Sequence, residues 1–278
     1  MIVIIAEKPS VARDIASVVG ANEKKEGWLE GNGYQVTWAF GHLIRLANAH
    51  EYDERYKSWN MQDLPIIPKP FSYELADDPA KKKQYNTIKR LFNDAEYIIV
   101  ATDAGREGEA IFRYIYNFAG CNTPFKRLWI SSMTESAIKE GLANLKNGRD
   151  YDFLYYSAKC RNEADWLVGI NATRALTVSS HSRSPLSLGR VQTPTLAIIV
   201  NRFLENQAFQ PTPYYVPDIV LDYQGSCFKA QLKNSNFKSK EECNQAISLI
   251  PDMVTLNRKK TTEGTEKAPL PYDLTSLQ

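Results

Sequence analysis

At 278 residues, with 43% hydrophobic and 24% charged residues, the chain has the composition of an ordinary globular protein and is long enough for one large domain or two smaller ones. Its formal net charge of +2 neither requires nor excludes a nucleic-acid partner. The four cysteines form no C-x-x-C pair, which argues against a structural zinc site or a disulfide framework and favours the reducing cytoplasm. No segment is long and apolar enough to predict a membrane span.

Strand and helix patterns alternate over the first 148 residues. Ile2–Ala6 is a continuous β-branched run, typical of a strand buried on both faces of a parallel sheet, and a helical pattern follows it until Gly20. Further strands are predicted at 34–40, 97–103 and 127–130, with helices at 80–94 and after Arg106, and a last helix whose capping box is formed by Ser132 and Glu135. We therefore expect residues 1–148 to form an α/β domain, a mostly parallel sheet with helices on both faces.

The pattern changes after this domain. A long helix is predicted from Asp152 to about Leu176, and Thr193 and Pro194 predict the N-cap and first residue of another helix. Alternating segments at 214–223 and 226–233 predict antiparallel strands, and a short helix is expected after Ser239. We expect a helical domain at 149–210 and the start of a β-rich domain at 211–278, either wholly β-rich or with a return of the chain to the helical domain.

Acidic residues follow two of the predicted strands. Glu7 comes directly after the first, Asp103 lies at the end of the strand at 97–103, and Glu107 follows one turn later within "ATDAGREGEA". Since parallel strands end at the same edge of a sheet, these carboxylates are expected to meet there. A single acidic residue in such a place is more often a helix cap, but the pairing with Glu7 favours a metal site, and carboxylate oxygens suit Mg²⁺.

Two segments of the predicted helical domain carry groups suited to a phosphate backbone. Arg161, Asp165, Gly169 and Thr173 lie four residues apart and share one helix face, which fits either a groove lining or a solvated face. In "SLGRVQTP", Arg190 stands beside a glycine and before a helix start, where backbone amides and an arginine fork attract phosphate. An ordinary loop-to-helix junction is the alternative.

Four motifs in order resemble type IA DNA topoisomerases, and most closely the topoisomerase III branch: "EKPS" at 7–10, "GHL" at 41–43, "ATDAGREGEAIFR" at 101–113 and "SLGRVQTP" at 187–194. The likeness covers essentially the whole chain. It implies that residues 1–148 are a Toprim domain holding Mg²⁺ at Glu7, Asp103 and Glu107. It further implies that Glu7, helped by Lys8, protonates the leaving 3′ oxygen.

The sequence departs from the family pattern at one position. Where the family has Asp-x-Asp-x-Glu, this chain has Gly105 in place of the second aspartate. With one carboxylate fewer, we expect a single, weakly held Mg²⁺ that keeps more water ligands. Alternatively, Gly105 serves only to relieve a tight turn between strand and helix.

The resemblance also implies a DNA partner, because "ADWLVGINATRA" at 164–175 matches a family pattern that borders the strand-binding groove. Residues 149–210 would then be a DNA-binding domain. The DNA-binding candidates are Ser58, Arg161, Asp165, Thr173, Ser187, Leu188, Gly189, Arg190, Val191 and Gln192. Two further residues stay open: Trp59 fits base stacking or a core position, and His42 fits a phosphate contact or a core histidine.

The activity implied is relaxation of negatively supercoiled DNA by transient single-strand cleavage through a 5′-phosphotyrosine, strand passage and religation. Single-stranded and negatively supercoiled DNA would be the partners, with no nucleotide, since no G-x-x-x-x-G-K-[ST] loop is present. None of the fifteen tyrosines stands in the Thr-Tyr-x-Arg-Thr context of the family's nucleophile. We therefore expect an N-terminal fragment, ending before the gate domain and inactive alone. The alternatives are a Toprim nuclease or primase-like enzyme, and a single-stranded DNA-binding module without catalysis.

Overall fold

The computed structural model describes residues 1–231, 236–255, 263–266 and 268–269. The end of the predicted strand at 226–233 and the segment 270–278 lie outside these residues. The chain divides into two compact units, Met1–Arg202 and Phe203–Gln278. Within the described ranges, no helix combines the length and the apolar character needed to cross a membrane.

A seven-stranded sheet forms the centre of the first unit. Its strands are β1 (Ile2–Ala6), β2 (Glu23–Lys25), β3 (Trp28–Gly31), β4 (Tyr34–Trp38), β7 (Tyr97–Ala101), β8 (Phe125–Arg127) and β9 (Lys146–Asn147), while β5 (Ile44–Leu46) pairs with β6 (Tyr73–Leu75) separately. Their order in the sheet is β2-β3-β4-β1-β7-β8-β9, and β4, β1, β7 and β8 run parallel to one another. The other three strands are antiparallel to their neighbours, so the sheet is mostly parallel at its centre, as expected.

Helices cover both faces of this sheet. Val3 and Ile5 of β1 point to one face, where they join a core with α3 (Pro79–Asp94) and α4 (Arg106–Phe118). Ile4 and Ala6 point to the other face and pack with α1 (Pro9–Val19) and α5 (Glu135–Ala143). The continuous apolar run at 2–6 is thus buried on both sides, which is why it shows no alternation.

The remaining elements of the first unit connect the sheet to a long helix, α6 (Asp152–Ser179), which packs against α4. The short α2 (Ala49–Tyr52) and three 3-10 turns, at Glu54–Lys57, Met61–Asp63 and Gly148–Tyr151, complete it. The next helix, α7 (Gln192–Gln207), begins in the first unit and crosses the boundary between the two. In the second unit, β10 (Asp218–Tyr223) and β11 (Ser226–Gln231) form an antiparallel hairpin, and α8 (Lys240–Ser248) follows with Ser239 as its N-cap.

Two predicted helix starts are wrong by a few residues. The cap of α5 is Thr134, whose hydroxyl accepts a hydrogen bond from the Ala137 amide, and not Ser132. The helix α7 begins at Gln192, so that Thr193 lies inside it and accepts a bond from the Gly189 amide at 3.2 Å. At α5 two hydroxyl residues, Ser132 and Thr134, compete for the cap, and the backbone geometry decides between them.

Candidate functional site

The carboxyl ends of β1 and β7 bring two of the predicted metal residues together. The two strands pair in register, with Ala6 opposite Ala101, so Glu7 and Asp103 leave the sheet side by side. The Asp103 amide lies 3.4 Å from the Glu7 carboxylate, to which it donates. The Lys8 ammonium stands 3.9 Å from Glu7 and 3.8 Å from Asp103 and serves both carboxylates. We call these three residues the carboxylate edge.

Glu107 does not join this edge. Its carboxylate is 3.2 Å from the Arg161 guanidinium and 3.9 Å from the His42 ring. His42 is exposed, so its interpretation as a core histidine is wrong. Glu107 therefore faces the His42 ring of the "GHL" loop and the Arg161 guanidinium of α6, one helical turn beyond Asp103.

The donor set of the carboxylate edge fits a hydrated magnesium ion. Glu7 and Asp103 offer oxygens at one place, and Mg²⁺ is commonly held by one or two carboxylates while water fills its other positions. Among the residues that the structure describes, no three acidic, histidine or cysteine side chains converge on one point. A preformed cage of Glu7, Asp103 and Glu107 is therefore not present, and Glu107 would have to leave Arg161 to contribute.

Gly105 is not required by the backbone. It is the N-cap of α4 with φ −176° and ψ 176°, an extended conformation that any residue adopts, and a side chain there would meet nothing within 4 Å. The explanation that this glycine relieves a tight turn is therefore wrong. The absence of a carboxylate at position 105 is therefore a chemical difference from the family pattern, and the space for such a side chain is open.

Gly108 is the glycine that the local geometry does require. A Cβ at this position would lie 2.1 Å from the Asp103 carbonyl oxygen and 2.8 Å from its nitrogen. The Thr102 hydroxyl donates to the Gly108 carbonyl at 2.7 Å, which ties the end of β7 to the first turn of α4. The close approach of the Gly108 and Asp103 backbones fixes the position of Asp103.

A buried arginine that was not among the predicted site residues, Arg127, stabilises the loop that carries Asp103. Arg127 is 1% exposed, and its guanidinium donates to the carbonyls of Val100 and Thr102 at 2.8 Å and of Asp103 at 2.7 Å. Burial lowers the pKa of this guanidinium, although its charge is retained at any ordinary pH. The one signal for it was a charged residue inside the otherwise apolar strand segment "RLWI".

A chain of buried ion pairs continues from Arg127. Its Nε lies 3.2 Å from Glu109, which accepts a hydrogen bond from Arg113 at 2.8 Å, and Arg113 is 2.7 Å from Asp152 at the start of α6. Burial raises the pKa of Glu109 against the pull of both arginines. The network links the loop of Asp103 to the first residue of the long helix.

The predicted DNA-binding residues mostly line one groove. Asp165, Gly169 and Thr173 of α6 face the segment Ser187–Gln192 across a cavity of about 450 Å³. The Thr173 hydroxyl both accepts from the Leu188 amide at 2.9 Å and donates to its carbonyl at 3.1 Å, which fastens the segment to the helix. The face repeat of α6 is therefore a groove lining, although Arg161, one turn earlier, lies outside this cavity.

Arg190 and Asp165 form a two-pronged ion pair in this groove. The arginine Nε and Nη2 donate to the two carboxylate oxygens at 2.6 and 3.2 Å. These hydrogen bonds hold the pKa of Asp165 below its usual range. A carboxylate thus occupies the arginine fork in the same way as a phosphate would.

An aromatic residue completes the groove. Trp59 lines it, half-buried, with the Arg174 guanidinium 5.2 Å from the centre of its ring. Ser58 is exposed beside it, but it does not line the cavity. Arg174 was not among the predicted site residues, and it reaches the groove because its other contact, to the Tyr56 carbonyl at 2.8 Å, draws it toward the loop of Trp59.

Comparisons with known proteins agree with this geometry. The Toprim domain model matches residues 2–133, and the DNA topoisomerase model matches residues 149–278. The DNA topoisomerase 3 of Bacillus subtilis (strain 168) is 44% identical over 283 residues, and that of Bacillus cereus (strain ATCC 10987 / NRS 248) is 46% identical over 283 residues. Each alignment covers 99% of this chain and 38% of the relative.

A solved structure shows the same fold. Full-length topoisomerase I from Thermotoga maritima matches with a TM-score of 0.55 at 24% identity, over 89% of this chain and 37% of that one. The chain spans 38% of the length of the curated relatives it matches. The similarity to proteins named DNA topoisomerase 3 confirms the predicted resemblance to that branch. The chain therefore matches a Toprim domain at residues 2–133 and a DNA topoisomerase domain at residues 149–278, and it resembles type IA DNA topoisomerases over almost its whole length.

Proposed function

We propose that this chain supplies the metal-binding and strand-binding part of a topoisomerase III that relaxes negatively supercoiled DNA in the cytoplasm. The reaction would proceed by transient single-strand cleavage through a 5′-phosphotyrosine, strand passage and religation. The nucleophilic tyrosine would lie in the further length that the relatives have. Residues 1–148, 149–210 and 211–278 would be a Toprim domain, a helical DNA-binding domain and part of a β-rich domain.

One observation carries this proposal: charged pairs lead without interruption from Glu107 to the groove. Glu107 pairs with Arg161, Arg161 lies 3.8 Å from Asp165, and Asp165 holds Arg190. A single strand lying in the groove would therefore pass a row of arginines on its way to the carboxylate edge. Single-stranded DNA is the preferred occupant, because the aromatic ring of Trp59 offers a stacking surface beside these cations.

The residues of the carboxylate edge would act on the broken strand. Glu7, which is 14% exposed, would give a proton to the leaving 3′ oxygen, and the Lys8 ammonium would stabilise the charge that develops there. A bound Mg²⁺ would be held by Glu7 and Asp103, with Glu107 added only after it leaves Arg161, and would supply positive charge to the phosphate backbone. Because the family's second aspartate is absent, we propose one ion with more water ligands.

Binding to a labelled single-stranded oligonucleotide, followed by anisotropy at several salt concentrations, tests the groove. Arg190→Ala should weaken binding and make the slope of log K against log salt shallower by about 0.7, the value for one lost phosphate contact to a single strand. Arg13→Ala, which removes an exposed arginine on α1, is the control. An unchanged slope would place Arg190 outside the DNA path.

The activity itself is tested with the protein at the full length of its relatives. Negatively supercoiled plasmid should be relaxed with Mg²⁺ and without ATP. A requirement for ATP would contradict the proposal. Metal-dependent cleavage of DNA by the 278-residue chain alone would instead favour the nuclease alternative.

A further inference from the structure

A second cavity adjoins the groove and is lined by three arginines. Its volume is about 480 Å³, and its lining is Arg106, Ser157, Arg161, Arg190 and Val191. Arg190 and Val191 also line the groove, so the two cavities share a wall. Arg106 is the first residue of α4 and is followed directly by Glu107. The arginine cavity, as we call it, therefore lies between the groove and the start of α4.

The three guanidinium groups are not fully neutralised. Arg161 and Arg190 pair with Glu107 and Asp165, whose side chains are 46% and 37% exposed. The side chain of Arg106 has neither an ion pair nor a hydrogen bond to any residue that the structure describes. Since exposed ion pairs contribute little, these carboxylates can be displaced by a better acceptor.

We propose that the arginine cavity binds one backbone phosphate of the DNA strand, and that this phosphate replaces Glu107 as the ion-pair partner of Arg161. The proposal rests on the proposed function, since it assumes a strand in the groove. A phosphate would receive donors from Arg106, Arg161 and the Ser157 hydroxyl, whereas Glu107 has one arginine and a distant histidine. The released Glu107 carboxylate is then available to a cation at the carboxylate edge.

The consequence is a coupling between two ligands. Metal binding that draws Glu107 toward Asp103 frees Arg161 for phosphate, and phosphate binding that takes Arg161 frees Glu107 for metal. By linkage, each ligand must strengthen the other by the same factor. For the release of one exposed ion pair, that factor should be about threefold.

The phosphate subsite is tested by binding of a twelve-nucleotide oligothymidylate to the 278-residue chain without metal. Arg106→Ala should weaken binding and lower the salt slope by about 0.7. Arg149→Ala removes an arginine whose side chain is 75% exposed and which does not line the cavity, and it should leave the slope unchanged. Equal slopes for Arg106→Ala and the unchanged protein would overturn the subsite.

The competition is tested by a double-mutant cycle on Glu107 and Arg161. Glu107→Gln should tighten metal-free oligonucleotide binding about threefold, because Arg161 is released, and the gain should vanish in the Arg161→Ala background. Glu135→Gln, which removes a glutamate paired with Lys139 on α5, controls for the general loss of negative charge. A gain that persists without Arg161, or that Glu135→Gln reproduces, would refute the exchange.

Failure of this inference is distinguishable from failure of the proposed function. If the unchanged protein shows no salt-dependent binding of the oligonucleotide, the groove itself is not a DNA site. If it binds and Arg190→Ala weakens binding, while Arg106→Ala and Glu107→Gln behave as their controls do, only the arginine cavity is refuted.

Discussion

Replacing Gly105 with aspartate should tighten Mg²⁺ binding at the carboxylate edge. The position accepts the side chain without strain, since φ is −176° and nothing lies within 4 Å of a Cβ. The new carboxylate would stand near Asp103, which is 53% exposed, so the local screening is close to that of water. Two unit charges 4 Å apart in water interact by about 1 kcal/mol, and a divalent ion doubles this to about 2 kcal/mol, which corresponds to roughly a thirtyfold gain in affinity.

The same substitution also creates a helix cap, which has to be separated from the effect of charge. Aspartate at the N-cap of α4 would accept a hydrogen bond from a first-turn amide, and asparagine caps equally well without a charge. Isothermal titration of Mg²⁺ into the unchanged protein, Gly105→Asp and Gly105→Asn therefore isolates the carboxylate. Thermal unfolding of the three proteins without metal reports the cap.

Two results would contradict this reasoning. Equal Mg²⁺ affinity in Gly105→Asp and the unchanged protein would mean that a side chain at 105 does not reach the ion. Equal gains in the aspartate and asparagine variants would mean that order in the first turn of α4, and not charge, limits binding. Without metal, Gly105→Asp should also weaken binding of single-stranded DNA, because it adds a negative charge near the strand's path.

Gly108→Ala should destabilise the protein by about 2 to 3 kcal/mol, since its Cβ would collide with the Asp103 backbone, and thermal unfolding should show no such loss for Gly105→Ser, where the space is open. Asp103→Asn should reduce Mg²⁺ affinity in titration calorimetry while metal-free binding of single-stranded DNA stays equal or becomes slightly tighter, because a negative charge is lost; unchanged Mg²⁺ affinity would remove Asp103 from the site. The hydrogen bonds from Arg190 lower the pKa of Asp165 in the folded protein. The pair therefore stabilises the fold fully at pH values above the pKa of Asp165 in the unfolded chain, about 3.9, and this stabilisation is lost as the pH falls through the lower pKa of the folded protein. Carboxyl NMR titration should therefore place its midpoint below 3.8, and Arg190→Ala should return it to the ordinary value; a midpoint that does not move would mean that the pair is not formed in solution.

The sequence predicted the central strands β1, β4 and β7 because their signals are local, but the strand predicted at 127–130 is wrong, since β8 is Phe125–Arg127, and β2, β3 and β9 were not predicted. Burial against the core gives each element its own pattern. It produces the β-branched runs of β1 and β7 and the apolar spacing of α3 and α4. The meeting of Glu7 and Asp103 followed from a general property of parallel sheets, and the groove followed from the four-residue repeat of α6.

What the sequence did not predict depends on tertiary contacts. Glu107 contacts Arg161 and His42, which come from other parts of the chain. Nothing in the spacing of "DAGREGE" favours these two partners over a metal. Arg127 belongs to the shortest parallel strand, and its role depends on three carbonyls at the end of β7 and in the loop that follows it. Gly105 and Gly108 look alike in sequence, and only the backbone shows that one is free to change and the other is not.

The buried pairs from Arg127 through Glu109 and Arg113 to Asp152 have a mechanical consequence. Separating a buried ion pair such as Arg127–Glu109 leaves charges without water, which costs about 3 to 5 kcal/mol, and separating Arg113 from Asp152, whose side chain is 28% exposed, costs less. Small displacements between α4 and the start of α6 are therefore resisted, so the loop that carries Asp103 and the groove lined by α6 are held at a fixed spacing.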